Sequence, residues 1–284
     1  MMSSEPIHID LDLLLRTKVP RHYRYIPRAL VRWLEKTIHQ DEMNDFFAKH
    51  AGIEGMEFAD AAIAELGVTI NVAGEENIPA PGSGRYIFAS NHPLGGLDGI
   101  VLISLLSHRY GDGKVKCVVN DLISQVRPLS GVFLPINKHG RQSVAAVRAV
   151  NEAYAGDCQM LYFPAGLCSR RQRGGAVADL EWKKSFIAKS VEFKRDVVPV
   201  HFGGQNSDFF YKFARLRKLS GLKLNIEMVY LPDEVFKSRG KTFTVTFGEP
   251  IPWSTFTSAK SHKQWAAAVR DTVYGLAGKT ENLK

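Results

Sequence analysis

His92 and Asp98 lie on either side of a glycine pair in the segment 91–99, NHPLGGLDG. An imidazole beside a carboxylate is a general-base unit. The carboxylate accepts the Nδ1 proton and fixes the tautomer, and Nε2 is left to take a proton from a hydroxyl. Gly95 and Gly96 allow the tight backbone path such a loop needs. Asp98 has a second use that involves no chemistry, as the cap of a following helix, and at the level of two residues both uses stand. No nucleophile joins the pair: the chain has no G-x-S-x-G elbow, no cysteine motif and no H-E-x-x-H metal pair. A His–Asp pair without its own nucleophile suits activation of an acceptor hydroxyl for direct attack on an activated acyl group.

Short β-rich runs and helical stretches alternate around this segment. The pattern predicts strands at 68–72, 85–90, 115–119, 132–136, 159–163, 197–202, 224–231 and 242–247. It predicts helices at 98–109, 141–154, 180–193, 209–219 and 259–276. Parallel strands need crossovers, so this alternation implies an α/β fold: a mixed, largely parallel sheet flanked by helices. In such sheets ligands gather where strand carboxyl ends meet the following loops, and the His92 loop follows the predicted strand 85–90.

The first 66 residues read as helical. Leu30, Trp33, Leu34 and Ile38 make a one-sided apolar stripe, and Arg16, Lys18, Arg21, Arg24, Arg28, Arg32 and Lys36 face a single acid, Glu35, between positions 14 and 40. Two regions follow from this: a helical N-terminal extension at 1–67, a candidate for membrane-surface contact, and an α/β domain at 68–284.

Residues 91–98 resemble motif I of the lysophospholipid acyltransferase superfamily, which includes the lysophosphatidic acid acyltransferases. The usual form places four residues between His and Asp, and this chain has five. The longer form with paired glycines is similar to the bacterial branch of hemolysin-like or lyso-ornithine-lipid acyltransferases, related to enzymes of glycine-lipid synthesis. Three further segments occur in family order. Residues 131–138 (GVFLPINK) resemble motif II, 161–170 (LYFPAGLCSR) resemble motif III, usually FPEGTRS, and 197–200 (VVPV) resemble motif IV.

The resemblance implies that His92 removes a proton from the acceptor hydroxyl and Asp98 orients the ring. It implies a substrate site built from Asn91, Gly95, Gly96, Lys138, Phe163, Pro164, Gly166, Ser169 and Arg170. The partners it implies are a lysolipid acceptor and an acyl thioester of acyl carrier protein or coenzyme A, with no resident cofactor and no metal. Two departures bear on the acceptor. Ala165 stands where glutamate is usual, and Asn137-Lys138 stand where an arginine is frequent. These favour a lyso-aminolipid of the ornithine or glycine type. Lysophosphatidic acid acylation and a non-catalytic membrane-lipid-binding role are the alternatives.

The chain of 284 residues carries 37 Lys and Arg against 29 Asp and Glu, a net charge of +8 that favours anionic partners. Arg171 and Arg173 follow motif III and read as a solvated basic face. Between 209 and 223 there is no acid, while Lys212, Arg215, Arg217, Lys218 and Lys223 alternate with Phe209, Phe210, Tyr211 and Phe213. That composition suits an anionic bilayer surface. Charge without a recognisable module does not predict nucleic-acid binding. No apolar run approaches the roughly 18 residues of a spanning helix, and residues 1–6 lack the pattern of a secretory signal. The expected location is therefore cytoplasmic, peripheral on the inner face of the cell membrane. Three cysteines without a C-x-x-C pair support neither a disulfide framework nor a zinc site. Cys117 and Cys158 read as buried, and Cys168 as open to reagents.

Overall fold

Runs rich in Val, Ile and Phe suit strands covered on both faces, and the centre of the chain supplies several of them. The structure, a computed structural model, describes residues 7–18, 20–120, 126–136, 143–222 and 225–280. In chain order the strands are β1 (Thr69–Ala73), β2 (Tyr86–Ser90), β3 (Val115–Asn120), β4 (Phe133–Ile136), β5 (Gln159–Tyr162), β6 (Arg170–Arg171), β7 (Val177–Ala178), β8 (Asp196–Phe202) and β9 (Thr242–Phe247). The helices are α1 (Leu11–Lys18), α2 (Pro20–Tyr23), α3 (Arg28–Thr37), α4 (Gln40–Lys49), α5 (Gly55–Leu66), α6 (Leu97–Tyr110), α7 (Val144–Ala155), α8 (Ser185–Phe193), α9 (Asp208–Leu219), α10 (Leu231–Phe236) and α11 (His262–Thr280).

Contacts divide the chain into two compact units, Met1–Ile53 with Asn206–Arg239, and Glu54–Gln205 with Gly240–Lys284. Compared with a boundary at residue 67, α5 groups with the sheet and segment 206–239 with the N-terminal helices. The α5 end is tied to the sheet unit by main-chain bonds: the Gly240 N–H donates to the Leu66 carbonyl at 2.9 Å and the Thr69 N–H to the Lys241 carbonyl at 3.0 Å.

The larger unit holds a seven-stranded sheet in the order β1-β9-β8-β2-β5-β3-β4. Neighbours are parallel except β8 and β9, which run antiparallel. This is the expected mixed, largely parallel α/β sheet. Ile87, Phe88 and Ala89 of β2 and Val197, Val198 and Val200 of β8 are fully buried, which makes these two strands the floor of the core. The registers pair Ala89 with Tyr162 and Ser90 with Val200, so the carboxyl ends of β5, β2 and β8 lie side by side. The loops leaving those ends carry motifs I and III.

Helix α8 begins at Ser185, not at 180. Residues just before it are held by other bonds: the Trp182 indole N–H donates to Asp179 Oδ2 at 2.8 Å and the Lys183 N–H to the Pro164 carbonyl at 3.0 Å.

In the smaller unit the strand predicted at 224–231 does not form over its described residues, 225–231. Ile226–Tyr230 is a 3-10 turn that runs into α10. Pro232 fits the first turn of that helix, and the Glu227 carboxylate turns inward to accept from Arg217 Nε at 3.1 Å and Nη2 at 2.9 Å. Alternating apolar residues imitated a strand, but a buried ion pair and a proline settled the backbone. On α3 only one side of the predicted stripe is covered: Leu34 and Ile38 are half-buried and share a face with buried Val31, whereas Leu30 and Trp33 are 43% and 46% exposed. On α9, Phe210 and Tyr211 are core residues and Phe209 is exposed. Among the described residues, fifteen large apolar side chains are exposed, and eleven of them lie in this unit.

Candidate active site

The chain leaves β2 at Ser90 and loses its ladder partners, yet the next two residues are fixed. Asn91 imitates one more rung: its Nδ2 donates to the Phe202 carbonyl at 2.9 Å, and the Phe202 N–H donates to its Oδ1 at 2.7 Å. The His92 N–H donates to Asp179 Oδ1 at 3.1 Å, and the His92 carbonyl accepts from the Ser169 N–H at 2.8 Å. The His92 ring tilts against Phe163, with centroids 4.3 Å apart, and its Nδ1 lies 3.0 Å from Asp98 Oδ2.

Asp98 is fully buried in the first turn of α6, and Gly96 is the cap residue. Besides His92, Asp98 Oδ2 accepts the Leu94 N–H at 3.0 Å and the Gly95 N–H at 3.4 Å, and Oδ1 accepts the Gly96 and Gly99 N–H groups at 3.0 Å each. The carboxylate thus gathers the loop's N–H donors and also meets the imidazole. Gly95, at φ +77°, supplies the left-handed step that lets the loop wrap around it. Burial alone would push the Asp98 carboxyl up. The His92 charge and hydrogen bond, with the Leu94 and Gly99 N–H groups, more than offset burial and hold it below the usual carboxylate range.

The motif III loop lies beside this pair. The Gly166 N–H closes a turn onto the Phe163 carbonyl at 3.0 Å, at φ +64°. Ala165 next to it is buried, and its N–H donates to no acceptor among the described residues. The Lys183 ammonium lies over the turn, 3.3 Å from where a side chain on Gly166 would start. Ser169 is buried and donates its hydroxyl to Asp179 Oδ1 at 2.6 Å. Arg170 opens a short hairpin of β6 and β7, and its Nη1 donates to the Cys168 carbonyl at 2.9 Å and the Ser169 carbonyl at 3.2 Å. Cys168 is buried, contrary to its expected openness, with its sulfur 2.8 Å from that same nitrogen. The structure therefore brings Asn91, His92, Gly95, Gly96, Asp98, Phe163, Pro164, Gly166, Ser169 and Arg170 into two adjoining loops. Lys138 lies outside the described residues.

Sequence reasoning missed Asp179, 87 positions from His92. It is a buried acid that accepts from the His92 N–H, the Ser169 hydroxyl and the Trp182 indole. Burial pushes its carboxyl up, and those three donors oppose the rise. Its own N–H donates to the Tyr274 hydroxyl at 2.7 Å, and its carbonyl accepts from Arg270 Nη2 at 2.9 Å. The only sequence signal was an acid flanked by apolar residues, in the stretch 176–180 (AVADL).

His201 of β8, edge-on to Tyr274, is held near pKa 4 by burial, against an ordinary 6.5. Between those values the unfolded chain binds the extra proton, so stability rises with pH through the window and is lost as pH falls from 6.5 towards 4. The expected loss from this residue is about 2–3 kcal/mol. Urea midpoints measured from pH 7 to 4 should fall, and should fall less in His201→Phe.

What the two loops can do chemically is clear from their parts: an imidazole oriented by a buried carboxylate, at the carboxyl edge of a largely parallel sheet, is equipped to deprotonate a hydroxyl. A family model described as Acyltransferase matches residues 13–282, and the chain belongs to that family, within the lysophospholipid acyltransferase superfamily. The chain is 53% identical over 268 residues to the lyso-glycine lipid O-acyltransferase of Bacteroides thetaiotaomicron, covering 94% of this chain and 97% of that one. It is 47% identical over 268 residues to the protein of the same name from Phocaeicola vulgatus, covering 94% and 95%. The fold is similar to that of the 1-acyl-sn-glycerophosphate (LPA) acyltransferase PlsC from Thermotoga maritima, with TM-score 0.50, 14% identity, and coverage of 95% and 93%. The protein is an acyltransferase enzyme.

Proposed function

We propose that this protein transfers a fatty acyl group from an acyl carrier protein or coenzyme A thioester to the hydroxyl of a lyso-glycine lipid, with His92 as general base. The observation that carries this reading is the 3.0 Å contact between His92 Nδ1 and the buried Asp98. As the acceptor oxygen attacks the thioester carbonyl, its proton passes to His92 Nε2, and Asp98 stabilises the imidazolium. Collapse of the tetrahedral oxyanion expels the thiolate, which takes the proton back from His92 and leaves as the thiol. General-base assistance is worth about 10²–10⁴-fold, and one good oxyanion donor about 10²–10³-fold. The Gly95, Gly96 and Gly166 N–H groups already serve acceptors within the loops. This leaves the Ala165 N–H as the donor this reading assigns to the oxyanion. The reading calls for no resident cofactor.

The names of both relatives support a lyso-glycine lipid as the acceptor. In an N-acylated glycine that bears a 3-hydroxyacyl chain, the carboxylate is the remaining charge. Lys183 over the motif III turn supports a site for it: the ammonium has no carboxylate partner among the described residues, and Ala165 adds no competing negative charge.

A lysolipid is met at a bilayer, and the smaller unit supports contact with an anionic surface. Leu216 and Leu219 of α9 are exposed beside Lys212, Arg215 and Lys218. The reading has the protein peripheral on the inner face of the cell membrane, held by that basic and apolar surface; among the described residues no helix is long and apolar enough to cross a membrane.

Purified protein given a labelled acyl thioester and N-(3-hydroxyacyl)glycine in anionic vesicles should form the O-acylated product, and His92→Ala should abolish it. Turnover by His92→Ala at the wild-type rate sinks the general-base reading.

A further inference from the structure

His92 stands two residues beyond the end of β2, where no sheet ladder holds the chain. What holds it comes from the far side of the sequence. The His92 N–H and the Ser169 hydroxyl converge on a single oxygen, Asp179 Oδ1, at 3.1 and 2.6 Å, while the His92 carbonyl accepts from the Ser169 N–H at 2.8 Å. Both polar groups of the His92 main chain are therefore set by residues 169 and 179. The other oxygen of Asp179 is taken by the Trp182 indole at 2.8 Å. Helix α11 fixes the Asp179 main chain from both sides: Tyr274 receives its N–H and Arg270 donates to its carbonyl.

A neutral side chain could accept from these donors without the cost of burying a charge. The fold instead keeps a carboxylate there at 2% exposure. The donors around Asp179 explain how the charge is tolerated, and the position of His92 explains what it does. In the transition state the His92 ring becomes an imidazolium, and a fixed negative charge behind its main chain adds to that of Asp98.

We propose that Asp179 is a positioning residue of the acyl transfer: through the His92 N–H and the Ser169 hydroxyl it sets where the His92 ring stands, and its charge stabilises the imidazolium. The proposal rests on the reading of His92 as the general base. Asp179 does not touch the reacting atoms. It acts through His92.

The test uses the full chain, a labelled acyl thioester and N-(3-hydroxyacyl)glycine, with thermal unfolding as the check on folding. Asp179→Asn keeps the size and one acceptor oxygen but removes the charge. Its kcat is expected to fall about 10²-fold with both KM values within about 3-fold, because a misplaced base loses rate and not binding. The acid limb of its pH–rate profile should move about half a unit to lower pH, because His92⁺ loses a neighbouring negative charge. A merely structural role would lower activity without moving that limb, so a fixed limb, or a wild-type kcat, overturns the proposal. If Asp179→Asn does not fold, Trp182→Phe decides: it removes one donor to Asp179, keeps an aromatic ring, and is expected to lower kcat about 3–10-fold at unchanged KM. Wild-type kcat in folded Trp182→Phe then overturns the proposal. Full turnover by His92→Ala in the same assay is a different result, since it removes the underlying general-base reading.

Discussion

Asp98→Asn is expected to lower kcat by about 10³–10⁴-fold, with KM for either substrate little changed. The side chain keeps its size, so the loss reports charge and proton placement. If the new amide NH₂ faces His92, it donates to Nδ1 and forces the proton onto Nε2, the nitrogen that must accept one from the acceptor hydroxyl. The Leu94 and Gly95 N–H groups then face a donor where Oδ2 had accepted them. If the amide turns the other way, it opposes the Gly96 and Gly99 N–H groups that Oδ1 had accepted. Neither orientation satisfies the loop. Steady-state kinetics across pH should show the loss at every pH, and adding His92→Ala to Asp98→Asn should cost little more, since the two act as one unit. A kcat within a few-fold of wild type would remove Asp98 from the chemistry and leave it as a loop clasp.

The second large effect falls on stability. Arg195 is fully buried, and its guanidinium donates to four carbonyls at the end of α7 and the turn after it: Nε to Tyr154 at 2.7 Å, Nη1 to Cys158 at 2.7 Å, and Nη2 to Ala153 at 3.1 Å and Gly156 at 2.6 Å. A helix leaves its last carbonyls unsatisfied and carries partial negative charge there, and a planar fork of donors answers both. Burial lowers the guanidinium below its usual range, which measures the desolvation those bonds must offset. Arg195→Met fills the space but orphans four buried carbonyls, and should cost about 3–5 kcal/mol and about 10 °C in Tm. Arg195→Lys keeps the charge and should lose less, because an ammonium cannot reach all four acceptors in the fork's plane. Urea unfolding checks the size of the loss. The kcat of folded enzyme should not change, since Arg195 bonds neither motif loop.

Where sequence and structure part company, the cause is the range over which each interaction acts. The strand at 242–247 has the same bounds in both readings, and the motif I loop sits between β2 and α6 as its residues imply, because period and turn chemistry act over a few positions. The His92–Asp98 contact was legible for the same reason, since its partners lie six residues apart across a glycine bridge. The false strand at 224–231 had the right alternation, but its backbone answered to Arg217 and to Pro232. The stripe on α3 had helical spacing, but spacing does not say how far a face is covered: Leu34 and Ile38 are half-buried beside Val31, while Leu30 and Trp33 lie out.

From the order of residues alone came the alternating α/β pattern, the four motifs and the His–Asp pair, because each is written in neighbours along the chain. The tertiary structure alone decided that Asp179 holds His92, that Arg195 closes α7, and that segment 206–239 joins the N-terminal helices. Those depend on which elements the crossovers of the sheet bring side by side, and a hydrogen bond spanning 87 residues leaves no periodic trace in the sequence that makes it.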